Sequence, residues 1–339
     1  MTGAADSAAA FLGRAREVSV LLDARARTRA QVVAVDLDTR SRAQRSARGI
    51  ARRAFASRQA KGAEILFKKI DSTLRGHVAA ELAAICPALG RRAVLFAPAF
   101  PAQGRIVRDA RLLVKGAPSS GDLRALLSRA GLPATHVDSP SADGLRAALR
   151  IGARAFVCDA ASDADLDRIA RAGLALRPRP LFVGSAGLAR ALARTLRRRR
   201  AAAIPPHPRW PVVAVVGSAS PISRIQVQCL ERSRHRAPIL QIDWQHEPTR
   251  KDLARVRDLG RLAACVPHAH YVLTGGETAR AVLAARGIRA LRLLGEVEPG
   301  VPFAMARDGT LVCTKAGAFG GAQTLVRCVA RLQHEMTRP

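Results

Sequence analysis

Aromatic side chains are scarce: the 339 residues hold two Trp, one Tyr and nine Phe, 4% in all. That scarcity removes the stacking platforms on which single-strand nucleic-acid binders rely. Lysine is scarce too. It occurs only at Lys61, Lys68, Lys69, Lys115, Lys251 and Lys315, so 56 − 6 leaves 50 arginines among the basic residues. Acidic residues number 26, which leaves a formal charge of +30. The six cysteines include no Cys-x-x-Cys pair, and the eight histidines, His268 and His270 among them, lack metal-ligand spacing. Cys158 and Cys313 sit in apolar runs, so the thiols read as small core residues of a reducing compartment, the cytoplasm. No apolar run approaches the ~18 residues that cross a bilayer. Asp6 interrupts the one apolar stretch near the start, which has no basic lead, so neither a membrane span nor a secretory leader is expected.

What is abundant is arginine, and its distribution matters more than its number. It is spread over nearly every predicted helix, with one run, Arg197–Arg200, beside Pro205, Pro206, Pro208 and Pro211. An Arg- and Ala-rich, Lys-poor composition is what coding DNA rich in G and C produces. Loose attraction for polyanions at low salt is expected; specific nucleic-acid recognition is not. Apolar residues make up 48%, too many for a disordered polycation. The length suits two domains.

Short apolar runs alternate with helical patterns. Candidate strands are Val18–Leu22, Gln31–Val35, Ile65–Lys68, Val94–Ala97, Ala155–Cys158 and Leu181–Val183, then Val212–Val216, Ile239–Ile242, Tyr271–Leu273, Ala290–Leu294 and Leu311–Thr314. Between them Val78, Leu82, Ile85 and Leu89 share a helix face, as do Leu325, Val329, Leu332 and Met336. The pattern predicts an α/β fold of two domains, each a mostly parallel sheet flanked by helices. Arg197–Pro211 reads as the linker. The division follows as residues 1–204, a ligand-binding N-terminal domain, and residues 205–339, a C-terminal domain.

Two clusters carry chemistry. Lys68-Lys69-Ile70-Asp71-Ser72-Thr73-Leu74-Arg75-Gly76-His77 follows a strand and precedes a helix, a junction where open α/β sheets bind ligands. Its lysines and arginine suit a carboxylate or phosphate, Ser72 and Thr73 can donate to the same anion, and Asp71 can accept a proton or orient a hydroxyl. The bland alternative is an N-capped helix with solvated charges. The second cluster is three glycine turns after strands: Gly217-Ser218, Gly275-Gly276-Glu277-Thr278, and Gly317 to Gly321. Glycine lets backbone approach a phosphate, and helix starts offer free N–H groups. None matches a P-loop or a dinucleotide fingerprint, so a nucleotide site and ordinary turns both remain open.

Taken in order, these stretches resemble the four-carbon acid sugar kinase family. Lys68–Gly76 reproduces its K-K-x-D-S-T-x-R-G-N motif, with His77 for the Asn. Asp36–Arg40 matches D-x-x-T-R, Pro98–Arg105 matches P-A-F-P-x-x-G-R, and Gly184–Ala189 matches G-S-A-G-L-A. In the second half Gly217–Gln226 resembles G-S-x-S-x-x-T-x-x-Q, Gly275–Thr278 matches G-G-x-T, Glu296–Pro302 resembles E-x-x-P-G-V-P, and Lys315–Gly320 resembles K-S-G-N-F-G. The resemblance implies a kinase that moves the γ-phosphoryl group of ATP, with Mg²⁺, to a hydroxyl of a threonate-, erythronate- or oxo-tetronate-type acid. The acid would bind the N-terminal domain and ATP the C-terminal one. Lys69 and Arg75 would hold the acid's carboxylate or the transferring phosphoryl group, with Asp71 activating or orienting the hydroxyl. Arg40, Lys68, Ser72, Thr73 and Asp6 complete the acid site. Ser218, Gly275, Gly276, Glu277, Thr278, Gly317 and Gly320 would contact ATP. The oligomeric state stays open, a homo-oligomer included.

The chain also departs from that pattern. The family opens with a strand ending D-D-x-T-G-A, whereas here Met1 stands at the variable position before Thr2-Gly3-Ala4, with Asp6-Ser7 following. A start assigned too late and a genuine truncation both account for this. The stretches after Pro118 and between Ile242 and Tyr271 are short for the family, and Ala316 and Ala318 replace its Ser and Asn. A chain that binds the same ligands without turnover is therefore the second expectation.

Overall fold

A computed structural model describes residues 2–90, 93–200, 203–246, 249 and 252–337. Met1, the position at which the expected first strand is missing, and residues 201 and 202 of the expected linker lie outside the described residues. The chain forms two compact units, residues 37–198 and residues 1–36 with 199–339.

The first unit is built on a five-stranded sheet in the order Leu66–Lys69, Leu181–Gly184, Val94–Ala97, Ala155–Cys158, Ala134–Val137, every neighbouring pair parallel. Its three central strands are buried along their whole length, as strands covered on both faces must be. Two of its strands feed helices through capped turns. Ser185 caps Ala186–Thr195, and Ser162 with Asp165 forms a capping box on Asp163–Leu174.

A small antiparallel sheet, Arg105–Arg108, Arg111–Val114 and Ala117–Asp122, lies off this sheet. It was not expected from the sequence, because Ala-Pro-Ser-Ser-Gly-Asp reads as turn. The first hairpin turns through Asp109 and Ala110, both at positive φ. The carboxylate of Asp159 accepts their two N–H groups at 2.7 and 3.1 Å, which offsets the strain of that turn.

The second unit is an eight-stranded mixed sheet. Its order is Ile239–Gln241, Val212–Val216, His270–Thr274, Leu311–Lys315, Val301–Ala306, Ala290–Glu298, Val18–Leu21, Val32–Val35. The first four strands and the last two are parallel; the three pairings between are antiparallel. One face carries Leu259, Ala263, Val282 and Leu283 from two helices, together with Ala5, Ala8 and Ala9 from helix Thr2–Ala9. The other face packs Val227 and Leu230 with Leu325, Val329 and Leu332 of helix Thr324–Thr337.

All the expected strands are present, with ends shifted by a residue, and Ala290–Leu294 runs on to Glu298. Val301–Ala306 was not foreseen, since Pro302 argues against an interior strand; it is accommodated at a register irregularity opposite Glu296. The compact units also divide the chain differently from residues 1–204 and 205–339. Near the linker the division falls at Arg198/Arg199. At the start, residues 1–36 join the second unit because Val18–Leu21 pairs antiparallel with Ala290–Glu298 and carries Val32–Val35 with it.

Gly184 ends a strand where a Cβ would lie 2.5 Å from the Ala97 carbonyl oxygen, a backbone atom that cannot move cheaply. Gly184→Ala is expected to destabilise the protein by about 1–3 kcal/mol. Urea denaturation should show a lower midpoint at unchanged slope.

Candidate functional site

The carboxyl edge of the parallel sheet carries the first cluster. Strand Leu66–Lys69 points alternate side chains to opposite faces, so Lys68 and Lys69 diverge. Lys68 is buried and forms an ion pair with Glu81, itself buried on helix Val78–Ile85. Expected to bind the acid, Lys68 is instead a strut between strand and helix. Lys69 is half-buried, and its ammonium donates to the Ile70 carbonyl at 2.9 Å.

Asp71 organises the loop that follows. Its carboxylate accepts from the Thr73 amide at 2.9 Å, from the Thr73 hydroxyl at 2.6 Å, and from Arg75 Nε and Nη2 at 3.2 and 2.9 Å. Arg40 Nη1 stands 3.8 Å from the same carboxylate. Burial raises the pKa of Asp71, but the hydrogen bonds from Arg75 and Thr73 and the Arg75 charge outweigh it and hold the carboxyl well below its ordinary 3.8. A carboxylate held that acidic is a poor proton acceptor; what it does is fix Arg75 and Thr73. The Thr73 hydroxyl is therefore engaged by Asp71 and is not a free donor for an acid.

The capping alternative fails here. The helix N-cap is His77, which makes no side-chain cap bond and lies against the Arg42 carbonyl, Nε2 to O 2.8 Å. Leu74 and Gly76 turn the loop at φ 61° and 99°, so the backbone is shaped for something other than starting a helix. Ser72 belongs to this loop, and Arg40 reaches it from the segment after Asp36. Asp6 lies on helix Thr2–Ala9, which belongs to the other unit. Asp36 also belongs to that unit and pairs with Arg280.

The mixed sheet carries the second cluster. Val216, Thr274 and Lys315 are register partners across three adjacent parallel strands, so the glycine turns start from one row. The chain passes from Val212–Val216 outward to Ile239–Gln241, then returns to the other side as His270–Thr274. The crevice between Gly217 and Gly275 is thus the topological switch point, where open α/β sheets bind ligands. Helices Pro221–Glu231 and Gly276–Ala285 both start there.

The turns touch one another. A Cβ on Gly217 would strike Thr278, and one on Gly317 would strike Ser218. Gly275 adopts φ 102°, a conformation that other residues rarely reach. Ser223 and Lys315 both donate to the Gly317 carbonyl, at 2.9 and 3.0 Å, and Gln226 donates to the carbonyls of Phe319 and Gly321. Trp244 Nε1 donates to the Gly217 carbonyl at 3.2 Å. Gly276 opens its helix, Glu277 lies exposed in the first turn, and Thr278 is buried. Gly320, expected to contact ATP, is also required by packing, because a Cβ there would strike Thr324 and Glu298.

Lys315, Ser223, Gln226, Trp244 and Glu298 were not expected to build the site. Lys315 carried a usable signal as a rare lysine that ends a strand two residues before Gly317, and Ser223 and Gln226 occupied the Thr and Gln positions of the quoted motif. Ser223, Gln226 and Trp244 act by donating to backbone carbonyls, whereas Glu298 accepts from the Thr324 hydroxyl and Arg327.

Comparison with known proteins places these features. The family model described as "Sugar-binding N-terminal domain" matches residues 1–136 and 120–192, and that described as "Nucleotide-binding C-terminal domain" matches residues 254–325. The chain is 38% identical to a D-threonate kinase of Cupriavidus necator over 325 positions, covering 77% of this chain and 78% of that one. It is 28% identical to a 3-oxo-tetronate kinase of Pseudomonas fluorescens over 80% of each. A Haemophilus influenzae structure has the same fold, with TM-score 0.77 at 19% identity over 98% of both chains. A Bordetella bronchiseptica domain-swapped dimer with bound citrate aligns at TM-score 0.50 and 29% identity over 98% of this chain and 96% of that one.

Two outcomes follow from the loop's electrostatics. Lys68→Met leaves Glu81 buried without its cation and should cost about 3–5 kcal/mol in urea denaturation, most of it recovered when Glu81→Leu is added. A Lys68→Met protein as stable as the parent would show the pair to be absent in solution. For Asp71 the folded pKa is depressed, so its contribution is complete above the ordinary 3.8 and is lost as pH falls toward the folded value. Over that acid window Asp71→Asn should lose less stability than the parent.

Proposed function

Because the chain belongs to the four-carbon acid sugar kinase family, we propose that it transfers the γ-phosphoryl group of ATP to a hydroxyl of a four-carbon sugar acid, D-threonate first among them. What supports this best is that one unit carries an arginine loop ordered by Asp71 and the other three glycine turns rising from one register row.

Arg75 and Lys69 bind the acid's carboxylate, with Arg40 and Ser72 beside them. Asp71 is a positioning residue that aims Arg75. Phosphoryl transfer asks mainly for alignment and charge stabilisation, so a carboxylate of low pKa is no handicap in that role. Ser218, Gly275 to Thr278 and Gly317 receive the phosphates on backbone N–H groups and helix starts. Ala316 and Ala318 offer no side-chain hydrogen bond there, which leaves the contact to backbone.

ATP arrives as its Mg²⁺ complex. Among the described residues no group of three or more His, Cys, Asp or Glu could hold a metal. No described helix is long and apolar enough to cross a membrane, and the six cysteines are free thiols, which suits the cytoplasm. Self-association, on the precedent of the Bordetella dimer, belongs to the same reading.

A coupled ADP-release assay with D-threonate, erythronate and 3-oxo-tetronates should give turnover with D-threonate preferred. Acid and ATP binding without turnover would instead establish the second expectation, a binding protein of the same fold. Arg75→Gln should raise the KM for the acid roughly tenfold to a hundredfold, the worth of a charged hydrogen bond, and leave ATP binding unchanged.

A further inference from the structure

Lys315 is fully buried at the end of strand Leu311–Lys315. Its one hydrogen-bond acceptor among the described residues is the Gly317 carbonyl at 3.0 Å, and no described carboxylate lies within ion-pair distance of it. Lysine almost never stays buried without an anion. Glu298 is the nearest carboxylate to influence it, but Glu298 is taken by the Thr324 hydroxyl and the Arg327 guanidinium. Thr274, the register partner of Lys315 on the next strand, has a buried hydroxyl with no hydrogen-bond partner. A cation lacking an anion and a hydroxyl lacking a partner thus stand side by side. They do so in the row from which the three glycine turns start.

We propose that Lys315, with Thr274 beside it, is the built-in countercharge for the phosphates of the bound nucleotide. The inference rests on the nucleotide-binding reading of the turns and adds a residue and a proton to it. Helix starts and backbone amides supply partial charges; Lys315 supplies a whole one, in a setting of low dielectric where it acts strongly. It also donates to the Gly317 carbonyl and so holds the third turn in place for the ligand.

A consequence can be read in protons. Burial lowers the pKa of Lys315 from its ordinary 10.5 to about 8, against the opposing pull of Cys328 and Glu298. The titratable groups that face it are Cys313 on its own strand, Cys328 from helix Thr324–Thr337 and Glu298 from strand Ala290–Glu298. Helix Pro221–Glu231 brings uncharged Ser223 and Gln226 to the adjoining turn. Bound phosphate favours the ammonium and raises its pKa. Above the free-state value, therefore, binding takes up a proton, and affinity falls as pH rises.

Calorimetry of ADP binding to the full chain, in two buffers of different ionisation enthalpy, measures that proton. At about pH 9 the ADP phosphates no longer titrate, so uptake belongs to the protein. We expect uptake there, little at about pH 7.5, and a roughly tenfold loss of affinity between those conditions and about pH 9.5. Lys315→Arg should keep most of the affinity and lose the pH dependence, because guanidinium stays charged. Lys315→Met should bind ADP weakly at every pH and take up no proton. ADP binding by the parent without proton uptake overturns the inference and leaves the proposed function standing. Uptake that persists in a folded Lys315→Met protein overturns it as well. Failure of ADP to bind at all overturns both.

Discussion

Both sheets depend on a neighbouring segment approaching a glycine more closely than a Cβ permits. At Gly184 the obstacle is the Ala97 carbonyl, at Gly187 the Ala99 carbonyl, at Gly217 the side chain of Thr278, and at Gly317 the side chain of Ser218. Each contact lies in a strand-to-helix or strand-to-turn junction at the carboxyl edge, Gly187 in the first turn of helix Ala186–Thr195. The absence of a side chain there lets Ser185 span to Ala99 with a 2.6 Å hydrogen bond, and lets Ser218 and Thr278 sit against neighbouring turns. Glycine acts in these places as missing volume. The exposed edge of each sheet becomes a surface of N–H groups and small hydroxyls rather than a wall of side chains.

On that surface the charges are few and individually restrained. The chain carries +30 overall, yet its candidate acid site turns on one carboxylate, Asp71, that draws in Arg75 and Arg40. Lys68 is withdrawn to Glu81, and Lys315 is enclosed beneath a turn. Net charge says little about such an arrangement, because screening in salt removes most of the distant field while paired and buried charges keep theirs. The arginines along exposed helix faces contribute solubility and general attraction for anions.

Much of the architecture was legible in the sequence, for reasons that can be stated. Buried parallel strands such as Val94–Ala97 are continuous apolar runs, and their periodicity differs plainly from that of helix Val78–Ile85. The hairpins of residues 105–122 were not legible, because a carboxylate fifty residues away at Asp159 shapes their first turn. Nor was Val301–Ala306, where a proline sits at an irregular register. The loop Lys68–His77 and the glycine turns stood out as polar islands after strands. Which cations face a ligand did not, since Lys68 and Lys69 are alike until the pleat sends one inward. The roles of Gln226 and Trp244 arise from carbonyls whose positions exist only once the chain is folded.

The pairing of Val18–Leu21 with Ala290–Glu298 joins segments some 270 residues apart in the chain. Residues 37–198 form a contiguous stretch and can fold as soon as they leave the ribosome. The mixed sheet cannot. Val18–Leu21 and Val32–Val35 precede residues 37–198 in the chain, and the strand that receives them, Ala290–Glu298, follows those residues. Before Ala290–Glu298 is made, Val18–Leu21 lacks the neighbour that it has in the folded sheet on the side away from Val32–Val35, and an unpaired strand edge of that kind can recruit other strands. The parallel-sheet unit therefore needs only one contiguous stretch of chain, whereas the sheet that carries the glycine turns needs segments from both sides of it.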